Sequence, residues 1–175
     1  MIKWWTEIIL NQMKSNHRKL LFIATVCALS AGIHSCDVSK KYEKEEKETI
    51  QKYLSDNPTL DFELKPSGLY YLEVLAGTGV QPVVHDSVFI KYTGKFLDGF
   101  VFETNVGTSN IMGFPLLEGE VIRGFDEGIS YMRKGGKSKM LIPSSLAYGP
   151  SGYFTIPGFT PLLFDVELID VKKNP

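Results

Sequence analysis

Alternating apolar and polar positions dominate the chain from about residue 60 onward, and a period of two is typical of β-strands with one buried face. The pattern, divided by glycine-rich turns, predicts strands over residues 69–75, 88–93, 100–103, 137–142 and 162–171. The second and third of these form a hairpin, because the Asp98-Gly99 pair between them favours a tight turn. This part of the chain is therefore expected to form an antiparallel sheet.

A single helix is predicted between the strands. Its apolar residues recur at helical spacing and share one face: Ile122, Phe125, Ile129 and Met132. Acidic residues 126–127 occupy the predicted first turn and basic residues 133–134 the last, which suits the helix dipole, and glycines 135–136 supply a left-handed cap. An antiparallel sheet that packs on one short helix is an α+β domain.

The first 35 residues have the layout of a bacterial lipoprotein signal peptide. Basic residues precede an apolar stretch at 20–33, which is shorter than the ~20 residues that a membrane-spanning helix needs. The stretch ends in Ile-His-Ser-Cys, which resembles a lipobox, so Cys36 is expected to be lipidated and to begin the mature chain. The alternatives are a plain signal peptide and an uncleaved anchor. Met13 is a better start for such a signal than Met1.

A charged spacer is predicted for residues 36–59, before a folded domain at 60–175. Opposite charges three and four apart in residues 40–48 favour a helix. The apolar stripe is too broken for a coiled coil, so the segment is expected to be solvated. The alternative is a dimerisation arm. Pro58 and the two residues before it should end the segment.

Composition and charge exclude several functions. The 43% apolar and 22% charged residues are ordinary for one globular domain with appendages. A formal net charge of −1 leaves no basic footprint for nucleic acid, so no nucleic-acid partner is expected. No cysteine follows Cys36, and His85 is the only histidine after His34, so the domain cannot form Cys/His nucleophilic pairs or His/Cys metal sites. We expect no metal and no cofactor.

Several short motifs, in order from about Gly68 to Val171, identify a family. They are Tyr92-Thr93-Gly94 after a strand, Asp98-Gly99, Phe102, residues 121–128, Gly135-Gly136, Leu146-Ala147-Tyr148-Gly149 and residues 164–168. Together they resemble an FKBP-type peptidyl-prolyl cis-trans isomerase, the macrolide-binding class, here in a bacterial lipoprotein form. The resemblance implies an antiparallel β half-barrel wrapped around the helix, with a proline-sized pocket between them.

The resemblance also implies roles for individual residues. Those expected to act in catalysis are Tyr92, Phe102, Glu103, Ile122 and Tyr148, and those expected to bind the substrate are Met112, Val121, Phe125, Tyr153, Ile156 and Phe164. Phe125 would form the floor, and the Ile122 N–H and the Tyr148 hydroxyl would donate to carbonyls of the bound peptide. Glu103 stands where most members carry aspartate. Residues 150–160 resemble the family's substrate-facing flap.

Two functions follow from these expectations. The first is a prolyl isomerase, anchored by lipid in the bacterial cell envelope, that assists folding of exported proteins by removing water from the X-Pro amide and distorting it. Its expected partners are proline-containing segments of those proteins, macrolide inhibitors and the membrane. The second is a chaperone or assembly module that uses the same pocket to hold such segments without turnover. A third, weaker interpretation is a tethered structural lipoprotein.

Overall fold

The computed structural model describes residues 38–174, so the predicted signal peptide and Cys36 lie outside the described residues. The chain divides into two compact units, Met1–Tyr42 and Glu43–Pro175. Helix α1 is described over residues 38–56, and residues 43–56 of it belong to the second unit together with every strand. Neither helix described in 38–174 has the length and apolar character needed to cross a membrane.

One antiparallel sheet and helix α2 follow α1. The elements are β1 (Glu63–Leu64), β2 (Tyr70–Leu75), β3 (Ser87–Lys95), β4 (Val101–Thr104), β5 (Met112–Pro115), α2 (Arg123–Ser130), β6 (Lys137–Ile142) and β7 (Leu162–Lys172). The strand order is β1-β2-β6-β7-β3-β4, and β5 also pairs with β3. All these pairings are antiparallel, which confirms the predicted α+β class. The predicted hairpin is β3–β4.

Helix α2 is shorter than the sequence predicts. It covers eight residues and ends at Ser130, so the basic pair 133–134 lies beyond its last turn. The end tightens because the N–H of Met132 donates to the Ile129 carbonyl, a three-residue step (3.0 Å). The following backbone pairs elsewhere, since the Gly135 N–H donates to the Leu168 carbonyl at 2.7 Å. The prediction that glycine 135 caps the helix is therefore wrong, although Met132 is buried as expected.

Helix α2 packs closely against β6 because two of its residues lack a side chain. A Cβ atom on Gly124 would lie 2.5 Å from the Cγ2 atom of Ile142, and one on Gly128 would overlap the Met140 sulfur. Both strand residues are completely buried. The glycines therefore bring the whole first turn of α2, which carries Phe125, down onto the sheet.

Helix α1 packs on the other face of the same sheet. Successive residues of a strand point to opposite faces, and Leu163 contacts Ile50 of α1 whereas its neighbour Phe164 belongs to the cluster around α2. Ile50 is only 4% exposed, and Glu46 is also buried. The prediction of a solvated spacer therefore does not hold for this face of α1, and the compact unit begins at Glu43 rather than at residue 60.

Candidate active site

The floor of the candidate site is the ring of Phe125 in the first turn of α2. It is 3% exposed and lies 4.8 Å from the ring of Phe164 on β7, measured between centroids. The ring of Tyr92 on β3 meets it edge-on at 5.8 Å. Phe114 on β5 stacks on the Phe125 ring at 6.5 Å. Phe125 is thus held in place by rings from three strands, β3, β5 and β7.

Phe102 forms an aromatic wall with Phe164, and Gly94 allows the two rings to meet. The ring of Phe102 on β4 meets that of Phe164 edge-on at 5.8 Å. Gly94 on β3 pairs in register with Phe164, and a Cβ atom at that position would lie 2.6 Å from Phe102 and 2.9 Å from Phe164. Any larger residue would therefore push these rings apart.

The phenol of Tyr92 lies close to the carboxylate of Glu103. Burial raises the pKa of Tyr92 well above its ordinary value, and the neighbouring, negatively charged Glu103 carboxylate raises it further. Burial also raises the pKa of Tyr148, followed by the charge of Glu103 and by Tyr153. Both phenols therefore stay protonated at neutral pH, and Glu103 lies near both of them.

The backbone of Tyr92 is clamped by two residues at the end of β4 that the sequence did not single out. The side-chain oxygen of Asn105 accepts from the Tyr92 N–H at 2.8 Å, and its amide donates to the Ile90 carbonyl at 3.1 Å. The Thr104 hydroxyl donates to the Tyr92 carbonyl at 3.0 Å. Their spacing, one and two residues after Glu103, is the only sequence signal that could have identified them.

Ile122 stands at the start of α2 with an extended backbone, φ −60° and ψ 142°. Its carbonyl accepts from the N–H groups of Phe125 and Asp126, while its own N–H has no acceptor among residues 38–174. Val121 and Ile122 are half-buried and pack against the main core. A free N–H beside the aromatic floor is a donor that a bound carbonyl can use.

The segment before Ile122 is fastened to α2 by a buried carboxylate. Asp126, 4% exposed, accepts from the Leu117 N–H at 2.7 Å and from the Gly119 backbone. Burial raises the pKa of this carboxyl, although these two backbone hydrogen bonds lower it. Asp126 therefore fixes the position of the segment before Ile122 and does not itself line the site.

Tyr148 and the predicted flap cover the other side. The ring of Tyr148 stacks on that of Tyr153 at 5.1 Å and 14°. Tyr153 and Ile156 exchange two backbone hydrogen bonds of 2.9 and 2.8 Å, which close a small hairpin whose tip residue, Phe154, is 97% exposed. Ile156 is buried in the main core, and Tyr153 is 65% exposed. The Tyr148 hydroxyl has no hydrogen-bond partner in the described part of the chain.

Most of the residues predicted for the site share one environment. Tyr92, Phe125, Ile156 and Phe164 are buried in the main core, and five half-buried residues pack against that core: Phe102, Met112, Val121, Ile122 and Tyr148. Met112 is on β5, paired with Ile90. Tyr153 and Glu103 are exposed at the rim. Residues 38–174 contain no group of His, Cys, Asp and Glu suited to a metal ion.

The predicted site residues combine buried and half-buried apolar side chains with two donors that have no acceptor within residues 38–174, the Ile122 N–H and the Tyr148 hydroxyl. An apolar enclosure built from them would exclude water from a bound amide, and the two donors would hold its carbonyls. It offers a shaped surface for an apolar ring. Among the residues described, none of its groups is placed as a nucleophile with an adjacent base.

Comparison with known proteins gives consistent matches. The family model of the FKBP-type peptidyl-prolyl cis-trans isomerase matches residues 79–169. FkpA of Escherichia coli K12, an FKBP-type peptidyl-prolyl cis-trans isomerase, is 43% identical over 109 residues, which are 62% of this chain and 40% of that protein. A probable FkpA of Neisseria meningitidis serogroup B is 30% identical over 167 residues, which are 94% of this chain and 59% of that protein.

Solved structures agree with these matches. The crystal structure of FkpA from Escherichia coli aligns with a TM-score of 0.65 and 35% identity, and covers 86% of this chain and 71% of that one. A peptidyl-prolyl cis-trans isomerase from Pseudomonas syringae aligns with the same TM-score at 29% identity, over 77% of this chain and 96% of that one. This chain spans only 40% of the length of the curated Escherichia coli relative. The match over residues 79–169 and the shared fold show that the chain belongs to the family of FKBP-type peptidyl-prolyl cis-trans isomerases.

Proposed function

We propose that the chain is a peptidyl-prolyl cis-trans isomerase that uses the apolar site around Phe125. The observation that supports this most is the combination of a buried aromatic floor with two unused donors, the Ile122 N–H and the Tyr148 hydroxyl. A proline ring fits an aromatic slot. The two donors would then hold the carbonyls on either side of it.

The reaction suits a site without a nucleophile. Rotation about the X-Pro bond breaks no covalent bond, yet its barrier is about 18–20 kcal/mol because amide resonance is lost. The planar amide is more polar than the twisted transition state, so an enclosure that excludes water favours the twisted form. Each tenfold of rate requires only about 1.4 kcal/mol of such differential binding.

Tyr92 and Glu103 are proposed to order the side of the site where rotation occurs. The carboxylate of Glu103 lies close to the Tyr92 hydroxyl and raises its pKa, and the phenol ring is packed against Phe125 and Phe164. The exposed carboxylate stays at the rim, where it faces the substrate without being enclosed. Phe102, Met112 and Val121 would complete the wall, with Ile156 and Tyr153 on the flap side.

The proposed substrates are proline-containing segments of exported proteins, and the proposed location is the bacterial cell envelope. The signal-like sequence before Cys36 supports this location, with lipidation of Cys36 as the anchor. Uncatalysed proline isomerisation takes tens to hundreds of seconds, so an isomerase would remove a slow step in folding after export. Macrolide inhibitors of the FKBP class are expected to occupy the same pocket.

A protease-coupled assay of a short proline peptide tests the proposal, with the Glu103→Asp variant measured alongside. We expect the wild-type chain to accelerate isomerisation and a macrolide to abolish the acceleration. If the wild-type chain binds the macrolide but does not accelerate isomerisation, the proposed isomerase activity is contradicted. Recovery of the rate in Glu103→Asp would then show that the longer glutamate side chain is the cause of the missing activity.

A holding function is the second candidate, and the exposed flap supports it. Phe154 is 97% exposed at the tip of the flap, beside Tyr153 at 65%. Exposed aromatic residues at the rim of a pocket are suited to binding unfolded chains. Suppression of aggregation of an unfolded protein, lost on Phe154→Ser with peptide turnover unchanged, would support holding in addition to isomerisation.

A further inference from the structure

A glutamate of α1 is buried against the loop that leads to Tyr148. Glu46 is 8% exposed, although the residues on either side of it are exposed. Its Oε1 atom accepts from the Ser144 N–H at 2.5 Å, and its Oε2 atom accepts from the Ser144 hydroxyl at 2.7 Å. Both oxygens of one carboxylate therefore bind a single residue that is 98 positions away in the chain.

Ser144 begins the short 3₁₀ turn Ser144–Leu146, and Tyr148 comes two residues after that turn. A helical turn leaves its first N–H groups without partners inside the turn, and a side-chain acceptor can satisfy them. The turn has no capping side chain of its own. Glu46 supplies that acceptor from a different element, so the start of the turn is fixed by α1.

A second charged side chain holds the next residue of the turn. Arg123, the first residue of α2, donates from Nη2 to the Ser145 carbonyl at 2.9 Å. Leu146 is 7% exposed and packs closely against Gly124 of α2. A Cβ atom added to Gly124 would lie only 3.1 Å from the Cβ atom of Leu146. The turn is thus held between α1 and α2, and Ile122, the proposed backbone donor, directly precedes Arg123.

Packing of α1 against the sheet keeps Glu46 in place. Ile50, one helical turn after Glu46, is 4% exposed and clusters with Leu141 and Leu163. Leu141 lies near the end of β6, two residues before Pro143, and Pro143 directly precedes the turn. The end of β6 therefore contacts α1 through Leu141, and the turn that follows contacts α1 through Ser144. The carboxylate is therefore directed at Ser144 by a rigid element and not by a free arm.

From these contacts we infer that Glu46 is a positioning residue for the isomerase site: through Ser144 it sets the place of the Tyr148 hydroxyl. The inference rests on the proposed function, because it assigns to Tyr148 the binding of a substrate carbonyl. Under this inference, α1 contributes to catalysis by positioning a residue of the site. A displacement of about 1 Å in a positioned group can lower a rate roughly 100-fold, so a partial shift of Tyr148 would be measurable.

The test is a double-mutant cycle measured on the full chain. Glu46→Ala is expected to lower kcat/KM for a proline peptide roughly tenfold, well within the range that misplacement of a group can produce. In a Tyr148→Phe background, which lacks the hydroxyl, the same change is expected to have little effect. A merely structural role would lower both backgrounds equally, and that result would overturn the inference.

Matched variants separate the contact from the charge and from folding. Glu48→Ala removes an exposed carboxylate of the same helix, with 67% of its side chain accessible, and is expected to leave kcat/KM unchanged. Glu46→Gln keeps an acceptor for the Ser144 N–H and is expected to recover most of the rate. If Glu46→Ala does not fold, Ser144→Ala replaces it in the cycle, since it removes only the hydroxyl contact.

Fluorotyrosine labelling keeps this test independent of turnover. The ¹⁹F resonance of Tyr148, assigned by its loss in Tyr148→Phe, is expected to shift in Glu46→Ala and not in Glu48→Ala. An inactive wild-type chain with that shift would overturn the proposed function but support the positioning. An active chain in which Glu46→Ala leaves both the resonance and kcat/KM unchanged would overturn the positioning alone.

Discussion

The carboxylate of Glu103 lies close to the hydroxyl of Tyr92 across the β3–β4 pair and raises the pKa of that phenol. Glu103 lies on β4 opposite Gly94, two residues from Tyr92 along β3, so both side chains leave neighbouring strands close together. Glutamate is longer than aspartate by one carbon–carbon bond, about 1.5 Å. The longer side chain still places its carboxylate close to the Tyr92 hydroxyl. Its charge also raises the pKa of Tyr148.

Replacing Tyr92 by phenylalanine tests this contact. Tyr92→Phe keeps the ring between Phe125 and Phe164 and removes only the hydroxyl. We expect the free energy of unfolding to change by about 0.5–1.5 kcal/mol, the usual net contribution of one hydrogen bond. The catalytic loss should be roughly tenfold in kcat/KM, or about 1.4 kcal/mol. Chemical denaturation and peptide kinetics on the same preparation measure both, and unchanged kinetics would contradict the role given to this pair.

Truncation of the floor should affect binding more than truncation elsewhere in α2. Phe125→Ala and Ile129→Ala each remove a buried side chain from the same helix, and each is expected to destabilise the fold by about 2–5 kcal/mol. Of these two residues, only Phe125 has a ring in the aromatic cluster of the site, 4.8 Å from the ring of Phe164. Macrolide titration at a temperature where both variants are folded should show a large loss of affinity for Phe125→Ala alone. Equal losses would mean that Phe125 is simply core.

Asn105 is expected to support the site without touching a substrate. Asn105→Ala leaves the buried Tyr92 N–H without its 2.8 Å acceptor, which costs about 1–3 kcal/mol of stability. The matched change Asn110→Ala removes an exposed amide whose residue binds Lys91 only through its backbone carbonyl. Thermal unfolding should therefore show a lower Tm for Asn105→Ala only. A similar Tm for both variants would argue against the clamp.

The pH dependence of stability should reflect Asp165 on β7, which lies on the face of the sheet that α1 covers. Burial alone would raise the pKa of this carboxyl, but hydrogen bonds and charges from Lys139 and Lys95 outweigh it and leave the pKa below its ordinary value. A lowered folded-state pKa contributes stability above the unfolded-state value and loses it as the pH falls through the folded-state value. Asp165→Asn should therefore lower Tm at pH 7, and the difference should shrink on acidification.

A surface aspartate provides the comparison for this pH series. Asp61 is exposed in the segment before β1. Asp61→Asn should therefore follow the wild-type melting curve throughout the acid range. A constant Tm difference between Asp165→Asn and the wild type at every pH would contradict the ion-pair explanation.

Strand positions were predictable because each long strand buries one face. Residues 137–142 were predicted as a strand and are β6, since their alternation records which side faces the core. The short strands β1 and β5 were not predicted. The two residues of β1 cannot show a period, and β5 contains Gly113 and Pro115, which weaken any strand signal.

The site was predictable by resemblance, but its supports were not. Phe125, Tyr92 and Phe164 are recognisable by type and order, whereas the contact between Glu46 and Ser144 joins positions 98 residues apart. Local sequence contains no signal for a contact of that kind. The same limit explains why α1 was expected to be solvated: its apolar contacts come only from Ile50, Tyr53 and Leu54 near its end, and one turn earlier the buried position is the charged Glu46.

The most direct test of the central claim is exchange spectroscopy at equilibrium, in which NMR follows a proline peptide present in large excess over the protein. We predict exchange cross-peaks between the cis and trans forms at mixing times where the peptide alone shows none, because the uncatalysed step takes tens of seconds or more. They should disappear when a macrolide is added and weaken in Tyr92→Phe. Exchange as slow as that of the peptide alone, in a folded chain that still binds the macrolide, would contradict isomerase activity.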